Sequence, residues 1–204
     1  MESSLSLTFS ERQQLTARPE APTDTVLIQA VLAGEVTSYE ELVRRYHGMI
    51  LRYFLLYHRH EDALDLTQET FLRAWQALKT YNAKWKFSTW LLAIAHQQNA
   101  LFFRNQSRLL RAQTGFGNES LSEMVVTQEH AGFQEILQQE EHENLWKTIR
   151  KILPQEQAEA LWFFYVEEKN QQEIAQILGR TVGGVKTILF RARQVLQKTL
   201  KMEI

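Results

Sequence analysis

Asn170-Gln171-Gln172-Glu173-Ile174-Ala175-Gln176-Ile177-Leu178-Gly179-Arg180-Thr181-Val182-Gly183-Gly184-Val185-Lys186 reads as a helix, a tight turn and a second helix. Asn170 and Glu173 stand three apart before an apolar run, which is a variant of the capping box. Gly179 supplies the positive φ that ends a helix, and Thr181 caps a last helix running to about Lys201. Ile174, Ala175, Leu178, Val182, Val185 and Leu189 form the shared core, with Ala175 small where two helices cross closely. The second helix presents Gly183, Gly184, Lys186, Thr187 and Phe190, followed by Arg191 and Arg193. Small residues let a backbone approach DNA, and lysine, threonine and arginine reach phosphates or base edges. An ordinary helical hairpin has the same generic pattern, so the rest of the chain has to decide.

Upstream of this unit, Pro154 follows Leu153 where a first helical position belongs. Helices resume near Phe133 after a stretch, 109–132, that contains Gly115, Gly117, Asn118, Ser120 and Ser122 and has no sustained period. That stretch reads as a flexible linker between domains that move independently. Before it, a helical signal begins near Asp24, a candidate cap. Ser38 to Glu41 reads as a capping box opening a helix to about His58, with a stripe of Leu42, Tyr46, Met49, Ile50, Tyr53 and Phe54. A third helix covers about Glu61 to Lys79, its inner face Leu64, Phe71, Leu72, Trp75 and Leu78. A fourth starts at Ser88, read as its cap, and continues toward Arg108. Residues 1–22 are polar, end in Arg18-Pro19-Glu20-Ala21-Pro22 and read as a flexible extension. The expected fold is all-α: a helical domain over 23–108, the linker, and a helix-turn-helix domain over 133–204.

The composition agrees. The chain has 204 residues, 44% of them hydrophobic, with 8 Gly and 3 Pro, which favours helices over turn-rich β structure. There is no cysteine, so disulfides, thiolate metal sites and a cysteine nucleophile are excluded. No secretory leader is expected at the N-terminus, and no apolar run approaches the roughly 18 residues of a membrane span, so no membrane insertion is expected. The reading is a cytoplasmic protein.

The net charge of −1 conceals segregation. From Thr70 to Asn118 there is no Asp or Glu, while Arg73, Lys79, Lys84, Lys86, Arg104, Arg108 and Arg111 are present. From Arg180 to Lys201 there is again no acid, against Arg180, Lys186, Arg191, Arg193, Lys198 and Lys201. The acids collect on the third helix, at Glu61, Asp62, Asp65 and Glu69, and at Glu135 to Glu143. Two basic surfaces on two domains point to a polyanion held at two places.

Two segments together resemble the extracytoplasmic-function type of RNA polymerase sigma factor over about residues 24–204. The first is His60-Glu61-Asp62-Ala63-Leu64-Asp65-Leu66-Thr67-Gln68-Glu69-Thr70-Phe71-Leu72-Arg73-Ala74-Trp75 followed by Phe87-Ser88-Thr89-Trp90-Leu91, similar to that family's domain two. The second is Leu153-Pro154, Tyr165-Val166-Glu167, and the helix-turn-helix quoted above, similar to domain four. The resemblance implies that the third helix meets core RNA polymerase at the β′ clamp coiled coil, through Asp65, Gln68, Glu69, Leu72 and Trp75, with the β flap as a further contact. It implies that the loop from Thr80 to Lys86 captures a minus-ten base: Asn82 reading its edge, Trp85 stacking on it, Lys84 and Lys86 holding phosphates. His96, Arg104 and Arg108 extend that surface. Thr181, Gly183, Lys186, Thr187, Arg191 and Arg193 are the expected minus-thirty-five contacts. Promoter DNA and an anti-sigma factor are the other implied partners. The helix after Trp90 departs from the family's densely basic one, carrying Ala93, His96, Leu101, Phe102 and Phe103, and Ile188 replaces a common arginine. The Phe102-Phe103 pair is a candidate contact for a partner protein.

Two other functions compete. A helix-turn-helix regulator acting without polymerase leaves the Asp65-Leu66-Thr67-Gln68-Glu69 helix and the Phe87-Ser88-Thr89-Trp90 segment without a role. A sigma-like adaptor that binds polymerase but not promoter suits the altered helix after Trp90. An enzyme is not expected: no nucleophile triad order, phosphate loop or paired-carboxylate setting stands out. No cofactor and no metal are expected. His58-Arg59-His60-Glu61 reads as a polar turn, and Glu156 with Glu159 as a solvated helical pair.

Overall fold

The computed structural model describes residues 21–114 and 140–200, and among these every regular element is helical. The first group is α1 (Asp24–Leu32), α2 (Thr37–Leu55), α3 (His60–Ala77), a 3₁₀ turn (Leu78–Thr80) and α4 (Phe87–Thr114). The apolar stripe of α2 closes against α1, α3 and α4, burying Leu42, Ile50, Tyr53 and Phe54 completely together with Leu91 and Leu92 of α4. Truncating one such leucine to alanine costs about 2–5 kcal/mol through lost transfer energy and the cavity left behind. The Tyr39 hydroxyl donates to the carbonyl of Phe71 at 2.5 Å and ties α2 to α3. Asp24 accepts from the Tyr46 hydroxyl and from Arg45, which ties α1 to α2.

Several caps differ from the sequence reading. Thr23, not Asp24, caps α1, its hydroxyl accepting from the Val26 amide at 3.4 Å. Ser38 forms no capping box, because α2 already begins at Thr37 and Ser38 is buried, while Glu41 turns to Arg44 and Arg45. Helix α4 starts at Phe87, one residue before Ser88, and the Ser88 hydroxyl is taken by another group described below. Pro154 lies just outside its helix, with ψ 147°.

The second group is α5 (Glu140–Ile152), α6 (Gln155–Tyr165), α7 (Gln171–Leu178) and α8 (Val182–Leu200). Its turn chemistry follows the sequence. Asn170 accepts from the Gln172 and Glu173 amides, and Glu173 reaches back to the Asn170 amide at 2.9 Å, completing the box. Gly179 ends α7 in the left-handed region at φ 62°. A side chain there would be strained, although its Cβ would meet no atom within 4 Å. Thr181 caps α8 by accepting from the Gly184 amide at 3.1 Å. Ile174, Val185 and Leu189 are fully enclosed between α6, α7 and α8. Of the expected linker, residues 109–114 continue α4 as helix; the remainder, the helical restart near Phe133 and most of the N-terminal extension lie outside the described residues.

The two groups are packed on each other, whereas the sequence reading has them moving independently. Helix α7 lies along α4, and α6 presents Trp162 and Phe163 to Tyr53 of α2, with ring centroids 5.7 and 5.5 Å away. No helix among the described residues is long and apolar enough to cross a membrane.

Candidate nucleic-acid interface

The face of α3 is set by helical geometry. Residues spaced three and four apart fall on one side, so Ala63, Thr67, Thr70, Phe71 and Ala74 face the core. Asp65, Gln68, Leu72 and Trp75 face outward, and Glu69 lies at the edge of the same stripe. Leu72 is 52% and Trp75 37% exposed, so neither belongs to the inner face that the sequence reading gave them. Trp75 still rests on Tyr39, edge to face at 4.8 Å. Glu69 holds Arg73 at 2.7 Å, and among the described residues no ion pair holds Asp65. The result is a stripe of two carboxylates, an amide and two large apolar groups, the composition expected of a protein-binding face.

The loop between the 3₁₀ turn and α4 is braced. Asn82 accepts from the Lys84 amide with its side chain, at 2.9 Å, and from the Trp85 amide with its carbonyl, at 3.1 Å. The Tyr81 hydroxyl donates to the carbonyl of Trp85 at 2.7 Å. Trp85 is therefore half-buried and held by its backbone, not a freely exposed ring, with the Lys84 ammonium 6.0 Å from its centroid. Asn82 keeps its amide NH₂ for another group, since its oxygen is spent on the turn. Lys84 and Lys86 are exposed, as are Arg104 and Arg108 a turn apart near the end of α4.

His96 sits elsewhere. Its Nδ1 is 3.1 Å from Glu159 of α6 and 3.4 Å from the Tyr53 hydroxyl, inside the contact between the two groups. Glu159 is 1% exposed, which corrects its reading as a solvated residue. Its Oε1 accepts from Tyr53 at 3.2 Å, Asn99 at 3.2 Å and Gln155 at 3.0 Å. A buried carboxylate needs such donors, because an ion without them bears the full cost of desolvation. Glu156, by contrast, is a surface residue that pairs with Arg180 at 2.5 Å. Burial and the Glu159 charge push the Tyr53 hydroxyl well above its ordinary range. A sequence signal for Glu159 existed: Ala158-Glu159-Ala160-Leu161-Trp162-Phe163 is apolar on every side, and a helix of that kind is buried all round.

A second set of contacts lies at the start of α4. Lys169 donates to the Ser88 hydroxyl at 2.7 Å, and the Thr89 hydroxyl donates to Oε1 of Glu173 at 3.1 Å. Lys86 is 4.0 Å from the same oxygen, and Arg52 reaches Glu167 at 3.5 Å. Burial lowers the Lys169 ammonium, opposed by Glu173 and Glu167, and raises the Glu167 carboxyl, opposed by Arg52 and Lys169. None of these contacts was read from the sequence, because each joins residues more than eighty positions apart.

On α8, Thr181, Gly183, Lys186, Thr187, Phe190, Arg191 and Arg193 are all exposed. Thr181 is committed to its cap and Thr187 to the carbonyl of Gly183 at 3.1 Å. Arg193 donates to the Tyr165 hydroxyl at 3.1 Å and lies over the Phe164 and Tyr165 rings. Among the described residues, no ion pair holds Lys186 or Arg191. The Phe102-Phe103 pair is not a free partner surface: both rings pack on His58, at 4.5 and 5.1 Å. His58 in turn bonds Asn99 at 2.6 Å. No cluster of potential metal ligands occurs among the described residues.

Residues 39–109 match the family model for sigma-70 region 2, and residues 147–196 match that for sigma-70 region 4. The chain is 32% identical over 164 residues to the RNA polymerase sigma factor YlaC of Bacillus subtilis, covering 80% of this chain and 92% of that one. This chain is an RNA polymerase sigma factor of the extracytoplasmic-function type. It is also 29% identical over 191 residues to the sigma factor BldN of Streptomyces coelicolor, covering 90% of this chain and 69% of that protein. In fold it resembles the sigma factor RpoE of Bartonella quintana, solved with the anti-sigma factor NepR. The TM-score is 0.60 at 21% identity, over 81% of this chain and 98% of that one. It also resembles CnrH, solved with the cytosolic domain of CnrY, with a TM-score of 0.59 at 21% identity, over 89% of this chain and 99% of that one. Family membership disfavours a regulator that works without polymerase.

Proposed function

We propose that this sigma factor binds core RNA polymerase through the α3 stripe and directs it to promoters under the control of an anti-sigma factor. Helix α8 enters the major groove of the minus-thirty-five element, with Lys186 and Arg191 on phosphates and the Gly183–Thr187 turn against base edges. The Trp85 loop captures a base leaving the duplex at the minus-ten element, and Lys84 and Lys86 hold the strand beside it. The protein supplies positioning and strand capture, and RNA synthesis remains the polymerase's chemistry in the cytoplasm. The observation that carries this reading is the exposed α3 stripe of Asp65, Gln68, Leu72 and Trp75 on the same chain as the acid-free second helix of the helix-turn-helix, α8. Co-elution of the purified chain with core polymerase tests it. The wild type is expected to elute with core enzyme, and a chain that never does so refutes the proposal.

A further inference from the structure

The loop around Trp85 carries a one-sided set of hydrogen-bonding groups, and that set bears on which base it takes. Its acceptors are engaged within the protein. The Asn82 side-chain oxygen accepts from the Lys84 amide at 2.9 Å, and the Asn82 carbonyl accepts from the Trp85 amide at 3.1 Å. The carbonyl of Trp85 accepts from the Tyr81 hydroxyl at 2.7 Å, and that of Lys86 from the Thr89 and Trp90 amides at 3.0 and 3.2 Å. The Thr80 hydroxyl turns back to the carbonyl of Ala77 at 2.7 Å. No Asp or Glu occurs from Thr70 to Asn118. Glu173 comes within 4.0 Å of Lys86 but is itself occupied: Oε1 accepts from the Thr89 hydroxyl and Oε2 from the Asn170 amide.

What the side chains beside Trp85 leave free is donors. A lysine ammonium has three N–H groups and no lone pair, and Lys84 and Lys86 are exposed on either side of the ring. The indole itself offers only an N–H. Asn82 is exposed, and its orientation is fixed by chemistry. The Lys84 amide can only donate, so the Asn82 oxygen faces it and the NH₂ is left on the other side. Turning the amide over would set N–H against N–H and leave both unpaired. Among the described residues nothing accepts from that NH₂.

The four bases differ in the exocyclic group on their pairing edge. Thymine and guanine carry an oxygen there, adenine and cytosine an amino group. A base leaving the duplex gives up its pairing bonds and has to recover them in the site. Among donors a keto oxygen recovers one, whereas an amino group meets only other donors. We propose that the loop selects a base with a keto oxygen, thymine or guanine, over adenine and cytosine, and that the NH₂ of Asn82 decides the choice. Lys84 and Lys86 act in the same direction, since a charged donor bonds an oxygen more strongly than a neutral one. Tyr81 holds the reader in place: its ring lies edge-on to Phe87 and Trp90 at 5.8 and 5.5 Å, and its hydroxyl ties the start of the loop to Trp85.

This preference rests on the capture of a base at Trp85 and is tested apart from it. The probes are single strands of about 20 nucleotides, one of deoxyuridine and one of deoxycytidine, bound at about pH 8 by the holoenzyme of core polymerase and the full-length chain. Uracil and cytosine share a ring shape and differ at the pairing edge. A homopolymer presents the same base in every register, so no promoter has to be known. The uracil strand should bind about three- to tenfold more tightly, the effect of one hydrogen bond made or left unmade. Asn82→Asp keeps the bond to the Lys84 amide and puts an oxygen where the NH₂ stands, so the ratio of the two affinities should shrink or reverse. Equal binding of the two strands by the wild type overturns the preference, and so does a ratio that Asn82→Asp leaves untouched. Tighter binding of cytosine also overturns it and would move the reading to the carbonyls of Ala83 and Lys84. Trp85→Ala separates the two failures. If it weakens both strands while the wild type shows no preference, a base is captured but not read through Asn82; if it weakens neither, the capture site falls and the preference with it.

Discussion

The cations of domain four are unequal, and salt dependence should expose the difference. Lys186 and Arg191 on α8 are exposed and unpaired among the described residues, whereas Arg180 is held by Glu156 at 2.5 Å. Each phosphate contact adds about 0.9 to the slope of log affinity against log salt. Lys186→Gln with Arg191→Gln should therefore flatten the slope by about 1.8. Between about 50 and 200 mM salt the double variant should lose about tenfold less affinity than the wild type loses. Arg180→Gln should change the slope by well under one contact, because its charge is already neutralised within the protein. Glu156→Gln should do the opposite, freeing Arg180 and steepening the slope by up to about 0.9. Fluorescence anisotropy of a labelled duplex at four salt concentrations reads all of these. A slope untouched by losing Lys186 and Arg191 refutes the placement of α8 in the groove, and an Arg180 effect equal to theirs refutes the argument from pairing.

Three further outcomes follow from the same structure. Asp65→Arg with Glu69→Arg should abolish co-elution with core polymerase while helical content by circular dichroism barely moves, since both side chains lie on the outer side of α3. Trp85→Ala should spare polymerase binding and minus-thirty-five duplex binding but impair melting, measured as permanganate reactivity of unpaired thymines. The stacking lost is about 1–3 kcal/mol per base, and a pre-melted bubble should partly restore activity. Glu41 should titrate far below an ordinary carboxylate, at about 2, because Arg44 and Arg45 donate to it. Its folded value lies below its unfolded one, so its stabilisation is present above about 4.5 and lost as pH falls toward about 2. Carboxyl NMR shifts through the acid range check this, and a midpoint near 4.5 contradicts it.

What the sequence made legible was local. Asn170, Glu173, Gly179 and Thr181 act within a few positions of themselves, so their spacing sufficed to read the box, the left-handed stop and the cap. Ser38 and Ser88 have good capping chemistry but lie inside their helices, because packing shifted each helix start by a residue. The outward turn of Leu72 and Trp75 was blurred by their apolar character, which suits a core and a binding face equally. The docking of the two groups was invisible for a different reason. Lys169 and Glu173 look like ordinary surface charges until the partners on α4 are known, and the apolar run around Glu159 signals its burial without announcing Tyr53, His96 and Asn99 as its partners.

This chain should turn core polymerase into a promoter-specific enzyme. Run-off transcription with purified core polymerase, a genomic fragment library and this protein tests it most directly. Discrete RNA 5′ ends that require the protein and share a motif upstream of each start are expected. The Trp85→Ala variant should lose them, and templates pre-melted at minus ten should restore them in part. Transcripts with the same scattered ends in the presence and absence of the protein would contradict it.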